Sequence, residues 1–228
     1  MKRLSIALAL VALSGAAIAK DRGPQVNYAN PSAAIAAEIA FAQLAQDKGQ
    51  WTAFRATATK DAVMFAPQLV YAQDFLKDKP DPAVAVKWQP HQVWSSCDGS
   101  IAVTRGAWQR SDSTGYFTTV WQRQNDGTYK WVMDQGDNLA MPLDAPEMIV
   151  AKVADCPKGK PSRPMKRAKI KKLPPLDPAY LAGQSDDGTL TYEVNVQPNG
   201  ARQFTVSLML GGQLAPVQMV EVAAPEGK

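Results

Sequence analysis

The sequence predicts an α+β protein, in which N-terminal helices pack on a curved antiparallel sheet and a small C-terminal β hairpin or meander follows. Three observations support this prediction. Apolar residues recur at helical spacing between residues 31 and 59. From 86 to 135 the pattern changes to strand-like alternation broken by three short turns. A second alternating pattern follows a basic, proline-rich segment at 158–178. Helices that precede a sheet are typical of α+β proteins.

The first nineteen residues predict a signal peptide. Lys2 and Arg3 precede an uninterrupted run of apolar and small residues at 4–13, and Ala17 and Ala19 have the spacing of a cleavage site. The apolar run is too short to span a bilayer comfortably, so an uncleaved anchor is the weaker alternative. We therefore expect cleavage after Ala19, a periplasmic or secreted bacterial protein, and no membrane-spanning segment in the mature chain.

Two helices are predicted at the start of the mature chain. Asn30 and Pro31 fit an N-cap followed by proline at the first helical position, and Gly49 fits the end of that helix. The alanine-rich stretch between them has a broad apolar face. Residues 51–59 predict a second, shorter helix. Two short elements are expected before the sheet: an apolar strand at 62–66 and a helical turn at 71–77.

Four strands joined by tight turns predict an antiparallel meander. The strands are expected at 86–96, 101–110, 114–123 and 128–135. Pro90 indicates an edge position or a bulge in the first strand, because proline cannot donate a ladder hydrogen bond. In the tail, a hairpin is expected over 189–197 and 202–210, with a third strand near 217–222.

The two cysteines, Cys97 and Cys156, predict a disulfide if the chain is exported to an oxidising compartment. In the chain-entropy model a loop of about 60 residues would stabilise the fold by about 4 kcal/mol. Two unpaired thiols are the alternative. A redox-active motif is excluded because the sequence has no CxxC.

Charge divides the chain into a signal peptide (1–19), an α+β domain (20–157), a basic linker (158–178) and a β appendage (179–228). Residues 158–172 carry eight bases and no acid. Such a segment is typical of a solvated linker, or of a contact with an anionic envelope surface. The residues predicted for that contact are Lys166, Arg167, Lys169, Lys171 and Lys172. Nucleic acid is not expected as a partner, because no aromatic residues interleave the bases.

The turn positions predict which strand residues face the helices. An aromatic-rich face collects Val93 and Thr104 together with the residues that we expect to line a pocket: His91, Trp108, Phe117, Thr119, Trp121, Trp131 and Met133. The opposite face collects Trp88, Gln92, Trp94, Val103, Arg105, Tyr116, Val120, Val132 and Asp134. A slip of one residue in any strand would change these assignments. The second face could be half-solvated, paired in a homodimer, or covered by the tail.

Several segments between residues 31 and 137 share the pattern of a known superfamily. They are the two helices, WTAFRATATKDAVMFAPQ at 51–68, RGAWQ at 105–109 and GYFTTVWQRQNDGTYKWVMDQ at 115–135. This part of the chain resembles the nuclear-transport-factor-2-like, or SnoaL-like, superfamily. The resemblance implies a curved sheet around helices, forming a cone with a cavity. The superfamily includes isomerases, cyclases and dehydratases, and also domains without catalysis.

The same resemblance makes Asp134 and His91 the weak catalytic candidates. Gln135 stands where a histidine is common in enzymatic members. The face assignment puts His91 and Asp134 on opposite sides of the sheet, which disfavours a dyad of these two residues. A carboxylate in an apolar pocket could still act as a base on a carbon acid, since burial raises its pKa.

The sequence lacks the motifs of metal-dependent, serine-nucleophile and nucleotide-binding proteins. With one histidine and no HExxH, the sequence predicts no metal site, and it has no GxSxG elbow, Walker loop or GxGxxG. No cofactor is expected. The leading hypothesis is an exported, non-enzymatic domain whose aromatic pocket binds a small apolar molecule or that serves as an interaction module. The same aromatics could simply fill a core. The alternatives are a lyase or isomerase with a pocket carboxylate, and an envelope-associated protein held by its basic linker.

Overall fold

The computed structural model describes residues 28–156, 166–168 and 170–224. The predicted signal peptide at 1–19, the basic residues up to 165 and Lys169 lie outside this part of the chain. No helix in the described ranges is long and apolar enough to cross a membrane.

Three helices precede the main sheet: α1 at Pro31–Lys48, α2 at Gln50–Thr57 and α3 at Ala72–Leu76. The side chain of Asn30 accepts a 3.1 Å hydrogen bond from the backbone N–H of Ala33, so the predicted N-cap is confirmed. Gly49 separates α1 from α2 at a φ of +102°, a conformation that favours glycine. The helical pattern therefore predicted all three elements correctly to within two residues.

The main sheet has seven strands in the order β2-β1-β6-β5-β4-β3-β7. Their ranges are Ala58–Phe65 (β1), Leu69–Tyr71 (β2), Lys87–Ser95 (β3), Ile101–Gln109 (β4), Thr114–Arg123 (β5), Tyr129–Leu139 (β6) and Val150–Val153 (β7). The predicted meander is confirmed as the antiparallel run β3 to β6. The sheet as a whole is mixed, because β1 runs parallel to β6 and β7 runs parallel to β3.

A second sheet is built from the tail, in the order β11-β10-β9-β8. Its strands are Tyr180–Gln184 (β8), Leu190–Val196 (β9), Arg202–Leu210 (β10) and Gln213–Val222 (β11). The predicted hairpin and third strand are confirmed, and β8 adds a fourth strand. One face of this sheet packs on the outer face of the main sheet, where Phe204 and Val206 share a core with Trp94 and Val120. The outer face is therefore covered by the tail, one of the three arrangements that the sequence leaves open.

The two sheets are also joined at one end by a pair of similar turns. The segments SCDGSI at 96–101 and SDDGTL at 185–190 each fold around their central aspartate, and the turns dock against each other. The backbone N–H of Asp98 donates a 2.9 Å hydrogen bond to the carboxylate of Asp187, and two further bonds of 2.8 and 2.9 Å cross the contact. The predicted disulfide between Cys97 and Cys156 is present in the same region.

Two β-bulges change which strand residues face the helices, compared with the prediction. In β3 the extra residue is His91, since Pro90 pairs with Gly106 and Gln92 with Arg105. In β6 it is Val132, since Trp131 pairs with Trp121 and Met133 with Val120. Each bulge shifts the alternation by one residue and exchanges the two faces beyond it. Four assignments were wrong for this reason: Trp88 and Asp134 face the helices, Met133 lies in the core between the sheets, and His91 lies in the β3 bulge beside Gln92 and Arg105.

Candidate functional site

A cavity of about 290 Å³ lies between the first two helices and the inner face of the main sheet. Part of its wall is aromatic: Phe41 and Phe54 come from the helices, and Trp88, Trp108 and Phe117 come from strands β3 to β5. Most of the rest is polar: Gln50, Arg110, Thr119, Asp134, Gln135, Asp137 and Asn138. The Phe41 ring packs edge-on against Phe54 and Trp88, with ring centroids 4.7 and 4.8 Å away. These contacts fix the apolar wall, so the cavity is shaped by packed rings.

The predicted lining residues separate into three groups. Trp108, Phe117 and Thr119 line the cavity. Trp121 and Trp131 lie on the same face, but they are 1% and 0% exposed and belong to the core that supports it. The remaining two, His91 and Met133, lie away from the cavity because of the two bulges described above.

Two acids of β6, Asp134 and Asp137, line the cavity, and Asp134 lies directly opposite Thr119 on β5. The hydroxyl of Thr119 donates a 2.8 Å hydrogen bond to its carboxyl. Burial raises the pKa of Asp134 to about 8, the Thr119 hydrogen bond opposes this rise, and the nearby Glu38 carboxyl adds to it. Asp134 is therefore mostly protonated at neutral pH.

Glu38 on α1 is a functional residue that the sequence analysis missed. It is fully buried, and its carboxyl accepts hydrogen bonds from Trp88 Nε1 at 2.7 Å, Trp121 Nε1 at 3.0 Å and Thr104 Oγ1 at 2.6 Å. Burial raises the pKa of Glu38, and these hydrogen bonds oppose the rise. The available signal was position: Glu38 falls on the buried stripe of α1 that also contains Ala34, Phe41 and Ala45.

The two carboxyls interact through their charges. The nearby Glu38 carboxyl, which lies behind the wall, raises the pKa of Asp134, which faces the cavity. Because Glu38 is fully buried and its oxygens are taken by protein donors, it cannot contact a bound molecule. Asp134 can give or accept a hydrogen bond in the cavity, and a carboxyl with a pKa near 8 can also exchange a proton at neutral pH.

His91 occupies a different environment from Asp134. It is the extra residue of the β3 bulge and is buried there, and its Nε2 atom has no hydrogen-bond partner in the described residues. Burial lowers the pKa of His91, and the charge of Arg105 lowers it further. The structure therefore gives no His91–Asp134 pair, as expected, although the reason differs: Asp134 faces the helices and His91 sits in a bulge.

The basic residues predicted to contact an anionic surface differ in their environments. Arg167 forms a 2.9 Å ion pair with Asp186, and its backbone N–H bonds to the side chain of Asn125, so it ties the two sheets together. It does not fit the prediction of a free cation for a polyanion. Lys171 and Lys172 are exposed and surround an open depression together with Lys60. Lys166 is exposed as well.

No family model and no curated protein matches the chain. Among solved structures, it is similar to a DUF3225-family protein of unknown function from Pectobacterium atrosepticum, with 13% identity and a TM-score of 0.40 over 48% of this chain and 91% of that one. It is also similar to a proposed ketosteroid isomerase from Parabacteroides distasonis, with 18% identity and a TM-score of 0.38 over 51% of this chain and 98% of that one. A third similar structure is an NTF-2 like protein from Burkholderia xenovorans, with 16% identity and a TM-score of 0.34 over 51% of this chain and 89% of that one.

The architecture of residues 31–139 itself is a curved sheet wrapped around two helices that enclose a cavity. This is the cone that the resemblance to the nuclear-transport-factor-2-like superfamily implies. The predicted α+β fold is confirmed, and the second sheet is an addition outside the part that carries the resemblance.

Proposed function

We propose that the inner cavity binds a small, largely apolar molecule that carries one hydrogen-bond-accepting group, such as a carbonyl. The observation that carries this proposal is the position of Asp134, a protonated carboxyl in a cavity whose wall also holds five aromatic rings. A neutral carboxyl can donate a hydrogen bond inside an apolar site, where a carboxylate would pay a large desolvation cost.

The dimensions of the cavity favour a small ligand. Its volume of about 290 Å³ is at the lower end of the range for ligand pockets, roughly 300–1,000 Å³. Flat rings on Phe41, Trp88 and Trp108 offer faces and edges that suit a ring-containing molecule. The ligand class that fits both the walls and Asp134 is therefore a compact aromatic or alicyclic carbonyl compound.

A paired-ligand experiment tests this proposal. Tryptophan fluorescence would follow the binding of acetophenone and of ethylbenzene, which share a ring and a short side chain and differ in the carbonyl. We expect acetophenone to bind about tenfold more tightly, the factor that a hydrogen bond of about 1.4 kcal/mol supplies. Asp134→Leu should remove the difference, whereas Asp112→Asn in an exposed turn should keep it. Equal binding of both compounds to the unmodified protein would overturn the proposal.

A second candidate is catalysis of proton transfer, as in a lyase or isomerase. It is favoured by the raised pKa of Asp134, to which burial and the nearby Glu38 carboxyl contribute, because a pKa near 8 lets one carboxyl both remove and return a proton at a carbon next to a carbonyl. Asp134→Asn separates the two candidates. The amide still donates to a carbonyl, so binding should persist, while exchange of acetophenone methyl protons with deuterated water should stop.

Export stays part of the proposal. A structural disulfide such as Cys97–Cys156 is typical of oxidising compartments and supports the predicted removal of residues 1–19.

Contact with an anionic envelope surface is also still a proposal, supported by the exposed Lys171 and Lys172 beside Lys60. Salt-sensitive binding to phosphatidylglycerol vesicles, lost when these three lysines become glutamine, would support it. Binding that survives this change would contradict it.

A further inference from the structure

The outer face of the main sheet carries a cluster of buried polar side chains without hydrogen-bond partners. Five of the six such atoms in the described residues lie there: His91 Nε2, Arg105 Nε, Tyr116 Oη, Thr118 Oγ1 and Gln135 Nε2. Buried polar groups in folded proteins are almost always bonded. Two of these side chains, His91 and Arg105, line one cavity, so their unpartnered nitrogens point to a group that binds there.

Strand register makes these residues one patch. Arg105 pairs with Thr118, and Thr118 pairs with Gln135, so the three occupy one row across β4, β5 and β6. Tyr116 lies two residues from Thr118 on the same face, because side chains in a strand alternate with period two. His91 belongs to the β3 bulge, next to the partner of Arg105.

A cavity of about 150 Å³ opens at the β3 end of this row. Its sheet side is formed by His91, Gln92, Arg105 and Gly106. The other side is formed by the segment that leads into β7, with Leu143, Asp144, Pro146 and Val150. A single water needs about 10–15 Å³ of such space, so the cavity can hold a larger group.

The cavity is lined by one cation, Arg105, and one acid, Asp144. The Arg105 guanidinium is half-buried, lies 5.0 Å from the centre of the Tyr116 ring and forms no ion pair with any described residue. Burial lowers the pKa of Arg105, as expected for a buried cation whose charge is not compensated. Asp144 lines the cavity and Asp137 pairs with Tyr116 on the same face, but neither forms an ion pair with Arg105.

We propose that this cavity is a second binding site, specific for a small oxyanion such as phosphate, sulfate or a carboxylate. The planar guanidinium of Arg105 can donate two parallel hydrogen bonds to such an anion, and an N–H of the neutral His91 ring can add a third. The site lies on the opposite side of the sheet from the aromatic cavity. It therefore does not depend on the function proposed for Asp134.

Calorimetric titration of the mature protein tests the site. Phosphate, sulfate and acetate would be added in separate experiments at constant ionic strength, with chloride as the balancing anion. We expect saturable binding of one anion per chain, and the comparison of the three identifies the preferred source of the oxyanion. Arg105→Gln should weaken binding about tenfold or more, whereas Lys48→Gln, an exposed position at the end of α1, should leave it unchanged. Absence of saturable binding by all three anions would overturn the proposal.

A second variant distinguishes the loss of the anion site from a loss of folding. Arg105→Met removes an uncompensated buried cation and should melt at the same temperature as the unmodified protein, or higher, in buffer without oxyanions. Phosphate should raise the melting temperature of the unmodified protein and leave that of Arg105→Met unchanged. An equal rise in both proteins would show that the anion acts elsewhere and would contradict the assignment to Arg105.

Discussion

Thr119 and Asp134 lie directly opposite each other on β5 and β6, and the Thr119 hydroxyl donates a 2.8 Å hydrogen bond to the Asp134 carboxyl. The charge of the buried Glu38 on α1 raises the pKa of the same carboxyl. The acid that faces the cavity is therefore coupled electrostatically to a buried acid behind the wall. The protonation of Asp134 depends on this environment as well as on what the cavity holds.

The first prediction concerns stability and pH. The pKa of Asp134 is about 8 in the folded protein and near 3.9 in an unfolded chain. The folded state therefore binds more protons between these values, and the free energy of unfolding should fall as pH rises from about 4 to 8. The loss is on the order of a few kcal/mol, since each pKa unit corresponds to about 1.4 kcal/mol.

Chemical denaturation at pH 5 and pH 9 would measure this effect. Asp134→Asn should flatten the pH dependence, because the amide does not titrate. Asp112→Asn, a change of an exposed acid, is the matched control and should keep the slope. A free energy of unfolding that rises from pH 5 to pH 9 in the unmodified protein would contradict the raised pKa.

The second prediction concerns Glu38. In Glu38→Gln the amide NH₂ replaces an oxygen that accepts from Trp88 or from Trp121 and Thr104, so at least one buried donor loses its acceptor. We expect a loss of about 1–3 kcal/mol in the free energy of unfolding. We also expect a lower pKa for Asp134, because a nearby carboxyl has been removed. An unchanged Asp134 titration in this variant would show that the two acids are not coupled.

The third prediction concerns the second sheet. It covers the outer core residues of the main sheet, among them Trp94, Val103 and Val120. A chain that ends after residue 157 would expose this apolar face to water, and we expect it to self-associate or aggregate. Native mass spectrometry of the full and shortened chains checks this. A shortened chain that stays monomeric and as stable as the full one would contradict the packing described here.

The fourth prediction concerns the disulfide. Replacing Cys97 and Cys156 by serine removes a link across 59 residues of sequence separation. We expect a loss of about 4 kcal/mol in the free energy of unfolding. Denaturation curves of the oxidised protein and the double variant give the difference. A double variant as stable as the oxidised protein would show that the paired turns at 96–101 and 185–190 suffice to hold this end of the molecule.

The sequence predicted the helices, the four-strand meander and the disulfide because each has a local signal: a cap at Asn30, turn residues between strands, and an even number of cysteines. The bulge in β3 had a signal in Pro90, but that signal did not fix which residue is the extra one, and the bulge at Val132 in β6 had none. Each bulge exchanges the faces of the residues beside it. Asp134 and Met133 were therefore assigned to the wrong sides.

Two further features depend on tertiary contacts. Strand β7 forms from the exposed residues Val150–Val153 only because β3 lies beside it. Glu38 looks like a surface residue in sequence, because a glutamate is rarely buried. Its burial follows from donors on β3, β4 and β5 that converge on α1 in the folded chain.

Titration of the Asp134 carboxyl, followed by carbon-13 NMR, tests whether this acid is protonated at neutral pH. The chemical shift of its Cγ reports the protonation state of this one side chain, and Asp134→Asn identifies the resonance. The structure predicts a midpoint near pH 8, so that the acid facing the cavity is protonated at neutral pH and able to donate to a bound carbonyl. A midpoint near pH 4, the usual value for an aspartate, would contradict the proposed role of Asp134.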